Sequence, residues 1–174
     1  TEFSALYKSG KEEKPEEVKF LSDCHIDTDL QLLFPDSYVS NISERVELYR
    51  KLDAIKDHQG LDDFRNMLLD RFGPLPDPSE ELLKVVQLRW LAQSCGVEKI
   101  ILKKSVLITY FVSNPESPFY SSTKFKEVIG NIQAFPLIFR MREDQDRLSL
   151  RSDQVNSVQE AYAILQKLSK GRAN

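Results

Sequence analysis

The segment Leu69-Asp70-Arg71-Phe72-Gly73-Pro74-Leu75-Pro76-Asp77-Pro78 fixes one corner of any fold this chain can adopt. Leu61, Phe64, Leu68 and Phe72 recur every three or four residues and predict a helix over 61–72. Glycine accepts the left-handed backbone that closes a helix, and proline cannot continue one, so Gly73-Pro74 is the stop. Asp77-Pro78-Ser79-Glu80 then reads as a start. Asp77 caps, Pro78 supplies the fixed φ of the first helical position, and Glu80 stands at the capping-box position. One helix ends and the next begins with almost no residue spare.

The elements on either side follow from the same kind of punctuation. Leu82, Leu83, Val85, Val86, Leu88, Trp90 and Leu91 cover most of the circumference of the helix that runs to Ser94, where Gly96 ends it. A helix that apolar is expected to be central and buried. Ahead of the corner, Asn41 caps a helix over 42–55, with Glu44 at the capping-box position and a stripe of Ile42, Val46, Tyr49 and Leu52. Further upstream, Ile26, Thr28, Leu30 and Leu32 alternate with Asp27, Asp29 and Gln31, which predicts a half-buried strand broken by Pro35-Asp36-Ser37. Downstream the period switches to two. Strands over 97–103 and 106–112 flank a Lys104-Ser105 turn, and a loop covers 113–118. A short helix over 123–132 precedes a second hairpin, 137–142 and 147–151, around Glu143-Asp144-Gln145-Asp146. Asn156 caps a last helix over 157–169. The order β-ααα-ββ-α-ββ-α implies an α+β fold: a mostly antiparallel sheet from two hairpins, with the helices segregated.

Residues 1–22 read as a tail. Lys8 to Glu17 is charged and broken by Gly10 and Pro15, and cannot bury enough surface to order itself. Phe3, Leu6 and Tyr7 fit the stub of a helix from a preceding domain, with 8–22 as linker and 23–174 as the folded domain. At 174 residues and 41% hydrophobic composition, a core forms without disulfides or metals. The net charge of −3 does not favour nucleic acid. Cys24 and Cys95 make no framework, which fits a reducing cytoplasmic setting. No signal peptide and no apolar run of membrane-spanning length is visible. Six glycines include no GxxxxGK or GxGxxG, so a P-loop ATPase is excluded.

Candidate chemistry is sparse. Cys24 and His25 are adjacent on a strand and point to opposite faces, which is poor geometry for a nucleophile and its base. His58 reads as a solvated loop histidine, Trp90 as core, and Asp27 with Asp29 as a solvated strand face with no third metal ligand in reach. The best binding candidate is the second hairpin. Leu137, Phe139 and Met141 alternate with Arg140 and Arg142, and Leu148 and Leu150 with Arg147 and Arg151. Period two puts all four arginines on one face. A plain solvated face, a protein contact and a nucleic-acid contact are the readings, in that order of preference.

Leu69-Asp70-Arg71-Phe72-Gly73-Pro74-Leu75-Pro76 resembles the motif of the C-terminal domain of bacterial transcription-repair coupling factors. Pro35-Asp36-Ser37-Tyr38-Val39, Glu47-Leu48-Tyr49-Arg50-Lys51-Leu52, Leu82-Leu83, Leu88-Arg89 and Ala92-Gln93-Ser94-Cys95-Gly96-Val97 agree with it in the same order. The likeness runs over about 24–170 by order of elements, and is sharpest over 24–100. It implies a non-catalytic, monomeric, autoinhibitory domain of an ATP-driven DNA translocase that couples stalled transcription to nucleotide-excision repair. The motor, with its ATP and magnesium, would precede residue 1; the domain itself would need no cofactor and would not bind DNA directly. Its partner would be the UvrB-like module of the same chain, whose UvrA-binding surface it would mask. RNA polymerase and UvrA would be reached indirectly. In the family, the helix leading into the motif presents acidic residues to arginines of that module. Asp70 matches one such position, with Arg71 beside it. Met67 stands where a second acidic residue is often found, and Asp62 and Asp63 lie one to two turns earlier as substitutes.

Overall fold

The computed structural model describes residues 20–145 and 147–171. The expected helix stub at Phe3, Leu6 and Tyr7, and most of the tail, lie outside them. The elements are β1 (His25–Thr28), α1 (Ile42–Ala54), α2 (His58–Phe72), α3 (Asp77–Ser94), β2 (Val97–Lys103), β3 (Val106–Phe111), a short 3-10 turn (Pro118–Ser121), α4 (Thr123–Ala134), β4 (Arg140–Asp144), β5 (Arg147–Asp153) and α5 (Val158–Lys170). This is the expected α+β order. The strands form one sheet in the order β1-β2-β3-β5-β4. β1 runs parallel to β2, and the other neighbours are antiparallel.

Two apolar clusters share α3. In the first, Ile100, Leu102, Leu107, Phe111 and Leu150 on one sheet face pack against Leu88 and Ala92 of α3, Val128 of α4 and Leu165 of α5. In the second, Leu83 and Val86 of α3 meet Leu48 and Leu52 of α1 and Leu61, Phe64 and Leu68 of α2, with Phe34 and Val39 from the loop after β1. Serving both clusters explains why α3 is apolar nearly all round. Phe20 reaches back to pack edge-on against Phe119, with ring centroids 5.2 Å apart, so packing begins at least three residues before position 23.

Several local expectations are corrected. β1 stops at Thr28, because its hydroxyl bonds the Leu102 carbonyl at 2.7 Å and accepts the Leu30 N–H, which bends the chain away from the ladder. On α1, Ile42 and Val46 are 69% and 45% exposed, and Leu48 takes the inward place they were expected to hold. Asp77 does not cap α3. Pro76 occupies the N-cap, its carbonyl accepting from Ser79 and Glu80 N–H, and Asp77 is the first helical residue. His58 opens α2 under an Asp57 cap instead of lying in a loop; it meets half-buried Trp90 edge-on, 5.0 Å away. The second hairpin starts at Arg140, leaving Leu137 96% exposed in the preceding turn, and its strands extend to Asp144 and from Arg147, so the turn is tighter than expected. In the first hairpin, Lys104 and Ser105 both have positive φ, 51° and 62°, as a type I′ turn requires. The Asp29 carboxylate fixes this turn by accepting the Lys104 N–H at 2.9 Å.

Candidate functional site

α2 is the element to which the family resemblance assigns a docking face. Its start is set by Asp57, whose carboxylate accepts the Gly60 N–H at 2.7 Å. Its end is set by Gly73, at φ 86° and ψ −165°, a region open in practice to glycine alone. The Gly73 N–H still reaches the Leu69 carbonyl at 3.0 Å.

Three side-chain links hold α2 against its neighbours in addition to Leu61, Phe64 and Leu68. The Tyr38 hydroxyl donates to the Gly73 carbonyl at 2.8 Å, with the Leu68 carbonyl at 3.2 Å. The Arg65 guanidinium forks onto Glu80 of α3 at 2.6 and 3.3 Å, and that bond is the main cause of its raised pKa. Arg71 pairs with Glu44 of α1, and its guanidinium also lies 4.8 Å from the Phe72 ring centre. Both ion pairs are well exposed, so each contributes little to stability; they set orientation. Glu44 and Glu80, read from sequence as capping-box acids, spend their carboxylates on these cross-helix pairs.

Asp63, Met67 and Asp70 stand at i, i+4 and i+7 and therefore share a face of α2. Asp63 and Asp70 are exposed and Met67 is half-buried. Asp63 accepts from Gln59 Nε2 at 2.9 Å, and Asp70 makes no ion pair among the described residues. Arg71 borders this face, on the side toward α1, with Met67 Sδ 4.0 Å from its guanidinium. The site is thus an acidic strip on a helix fixed at both ends. Sequence reasoning missed Tyr38, Arg65 and the cross-helix role of Glu44 as its supports; a tyrosine between turn residues carries no signal of its distant partner.

The second candidate, the arginine face, forms as expected. Cross-strand partners Arg140–Arg151 and Arg142–Ser149, with Arg147 two residues along, put all four arginines on one side of the hairpin. Three of them are already paired. Arg140 and Arg151 both contact Asp153, at 3.0 and 3.2 Å, and Arg147 contacts Glu98 at 2.5 Å. Arg142 forms no ion pair among the described residues. Tyr110 lies under the Arg147 guanidinium, 4.8 Å from ring centre to Cζ.

Elsewhere the chemistry is plain. Cys24 is buried beside exposed His25, and burial pushes its thiol up to about 12. Asp27 bonds Lys103 at 2.9 Å, which holds its carboxyl below the usual range. Among the described residues, no group of three or more His, Cys, Asp or Glu is arranged to hold a metal ion. No described helix is long and apolar enough to cross a membrane.

Comparison with known proteins agrees with the fold. The family model of the TRCF domain matches residues 28–122. The transcription-repair-coupling factor of Escherichia coli is 27% identical over 135 residues, covering 77% of this chain and 11% of that protein. Its counterpart in Haemophilus influenzae is 32% identical over 98 residues, 55% of this chain and 9% of that protein. The chain therefore spans about a tenth of the length of these curated relatives. A crystal structure of the C-terminal domain of a transcription-repair coupling factor superposes with a TM-score of 0.65 at 16% identity, covering 88% of this chain and 99% of that one. The family match runs from the end of β1, through the three helices and the first hairpin, to the cap of α4, more than half of the chain, and the chain belongs to the TRCF domain family.

Proposed function

We propose that this chain is the non-catalytic regulatory domain of a cytoplasmic transcription-repair coupling translocase. Its task is to dock on the UvrB-like module of the same protein and mask the surface that UvrA recognises. ATP and magnesium serve the motor, and RNA polymerase reaches this domain only through it. Residues 23–174 are the docking body and 1–22 the tether.

The observation that carries the reading is the α2 strip. Asp63 and Asp70 are held in the open, with no ion pair among the described residues, on a helix whose other sides are anchored by Tyr38, Glu80 and Glu44. Carboxylates fixed in this way are suited to arginines on an opposing surface. Because the two partners belong to one chain, a tether keeps the local concentration high, and a modest interface stays closed most of the time. A competing contact of a few kcal/mol then suffices to open it.

The test is a pair of measurements on the parent protein. Deleting this domain is expected to raise UvrA binding, and adding the chain in trans is expected to lower it again. Unchanged UvrA binding in both would end the proposal.

A further inference from the structure

We propose that the open face of the sheet is a second docking surface, built for an acidic amphipathic helix of a partner protein. This inference does not depend on the α2 reading.

The sheet has two unlike faces. One carries Ile100, Leu102, Leu107 and Leu150 and is buried under α3, α4 and α5. The register sets the other. Ile101 pairs with Ile108, Lys99 with Tyr110, Ile108 with Arg151, and Arg151 with Arg140. Ile101, Ile108 and Tyr110 are thus contiguous across β2 and β3, each only half-buried. No described helix contributes to this face. On its β5–β4 side stand Arg140, Arg142, Arg147 and Arg151, and on its β2 side Lys99 and Lys103. Among the described side chains, the carboxylates opposing these six are Asp27, Glu98 and Asp153, so positive charge is in excess on a chain that is negative overall.

The shape and the charge select the occupant. A groove of about 470 Å³ is lined by Ile108, Tyr110, Arg140, Arg142, Arg147 and Arg151. The groove lies over β3, β5 and β4; neighbouring strands are about 4.8 Å apart, so β2 and β4 lie about 14 Å apart across the whole face. A helix about 10 Å wide fits between them. An apolar stripe would cover Ile101 and Ile108, and acidic side chains on both edges would meet Lys99 on one side and Arg142 on the other. Nucleic acid fits less well. Among the described residues of β2 to β5 on this face Tyr110 is the one aromatic, so successive bases of a single strand would find no run of rings to stack on, whereas Ile101 and Ile108 offer apolar surface that a nucleic acid leaves unused.

The test uses the whole chain, labelled with nitrogen-15, and three probes. The first is a helical peptide of about 18 residues with leucines along one stripe and glutamates flanking it. The second has the same leucines flanked by lysines, and the third is an oligothymidylate. Saturable binding of the first is expected, with shifts confined to 99–110 and 140–151. Arg142→Glu and Lys99→Glu, on opposite rims, should each weaken it about ten-fold, with the remaining spectrum serving as the check of folding. Asp70→Arg should leave it unchanged. Equal binding of both peptides, binding of the oligonucleotide alone, shifts on α2, self-association through this face, or no binding would each overturn the proposal.

Discussion

The Tyr38 hydroxyl donates to the carbonyl of Gly73 across 35 residues of sequence, at 2.8 Å. The bond ties the loop after β1 to the corner between α2 and α3. It also satisfies a carbonyl at a helix end, where intrahelical partners run out. The Tyr38 ring adds a contact with Phe72, at 5.7 Å between centroids. Tyr38→Phe keeps the ring and removes the donor. It should cost about 1–2 kcal/mol, read as a lower urea midpoint with an unchanged m-value.

Gly73→Ala isolates backbone strain. A Cβ placed there meets nothing within 4 Å, yet φ is 86°. The loss should be about 1–3 kcal/mol, measured by the same denaturation. Gly96→Ala should lose more, because its Cβ would stand 2.5 Å from the Phe119 ring in addition to a φ of 71°.

Cys24 gives a pH prediction. Its thiol has an ordinary value of 9.0 and is pushed up to about 12 in the fold, chiefly by burial, against the lowering effect of Arg89. The neutral form is the one the fold favours. Its contribution is therefore complete below about pH 9 and is lost progressively as pH rises from 9 toward 12. Cys24→Ser or Cys24→Ala should flatten that part of the stability profile. In the native protein at pH 8, a thiol reagent should label Cys24 far more slowly than in urea.

Much of the fold was legible because it rests on local chemistry. Asn41 caps α1 by accepting the Glu44 N–H, and Gly73 ends α2, where propensity and turn residues pointed. The strand period placed the four arginines on one face without knowledge of the sheet order. What failed was decided by tertiary contacts. Ile42 and Val46 fit an inward stripe as well as Leu48 does, and only the packing against α2 and α3 chooses between them. Asp77 has capping chemistry, but Pro76 already supplies the extended residue, and the helix starts one position early. The site was half visible. Asp63, Met67 and Asp70 share a face by spacing alone, whereas the anchors Tyr38, Glu44 and Glu80 lie 15 to 35 residues from their partners.

Asp70 allows the proposed docking to be tested apart from folding. It is exposed and makes no ion pair among the described residues, so Asp70→Arg should change stability by less than about 0.5 kcal/mol. Met67→Glu adds a carboxylate between Asp63 and Asp70 and should strengthen docking. Thermal melts and binding titrations on the same samples check both.

The most direct test is the affinity of this chain for the isolated UvrB-like module of the proposed parent translocase, measured by calorimetry for the wild type and Asp70→Arg. Saturable binding that weakens at least about ten-fold in the variant, equivalent to about 1.4 kcal/mol, is the predicted result. Wild-type binding retained in full by a folded Asp70→Arg chain, or no binding by either, would contradict the assignment of α2 as the docking face.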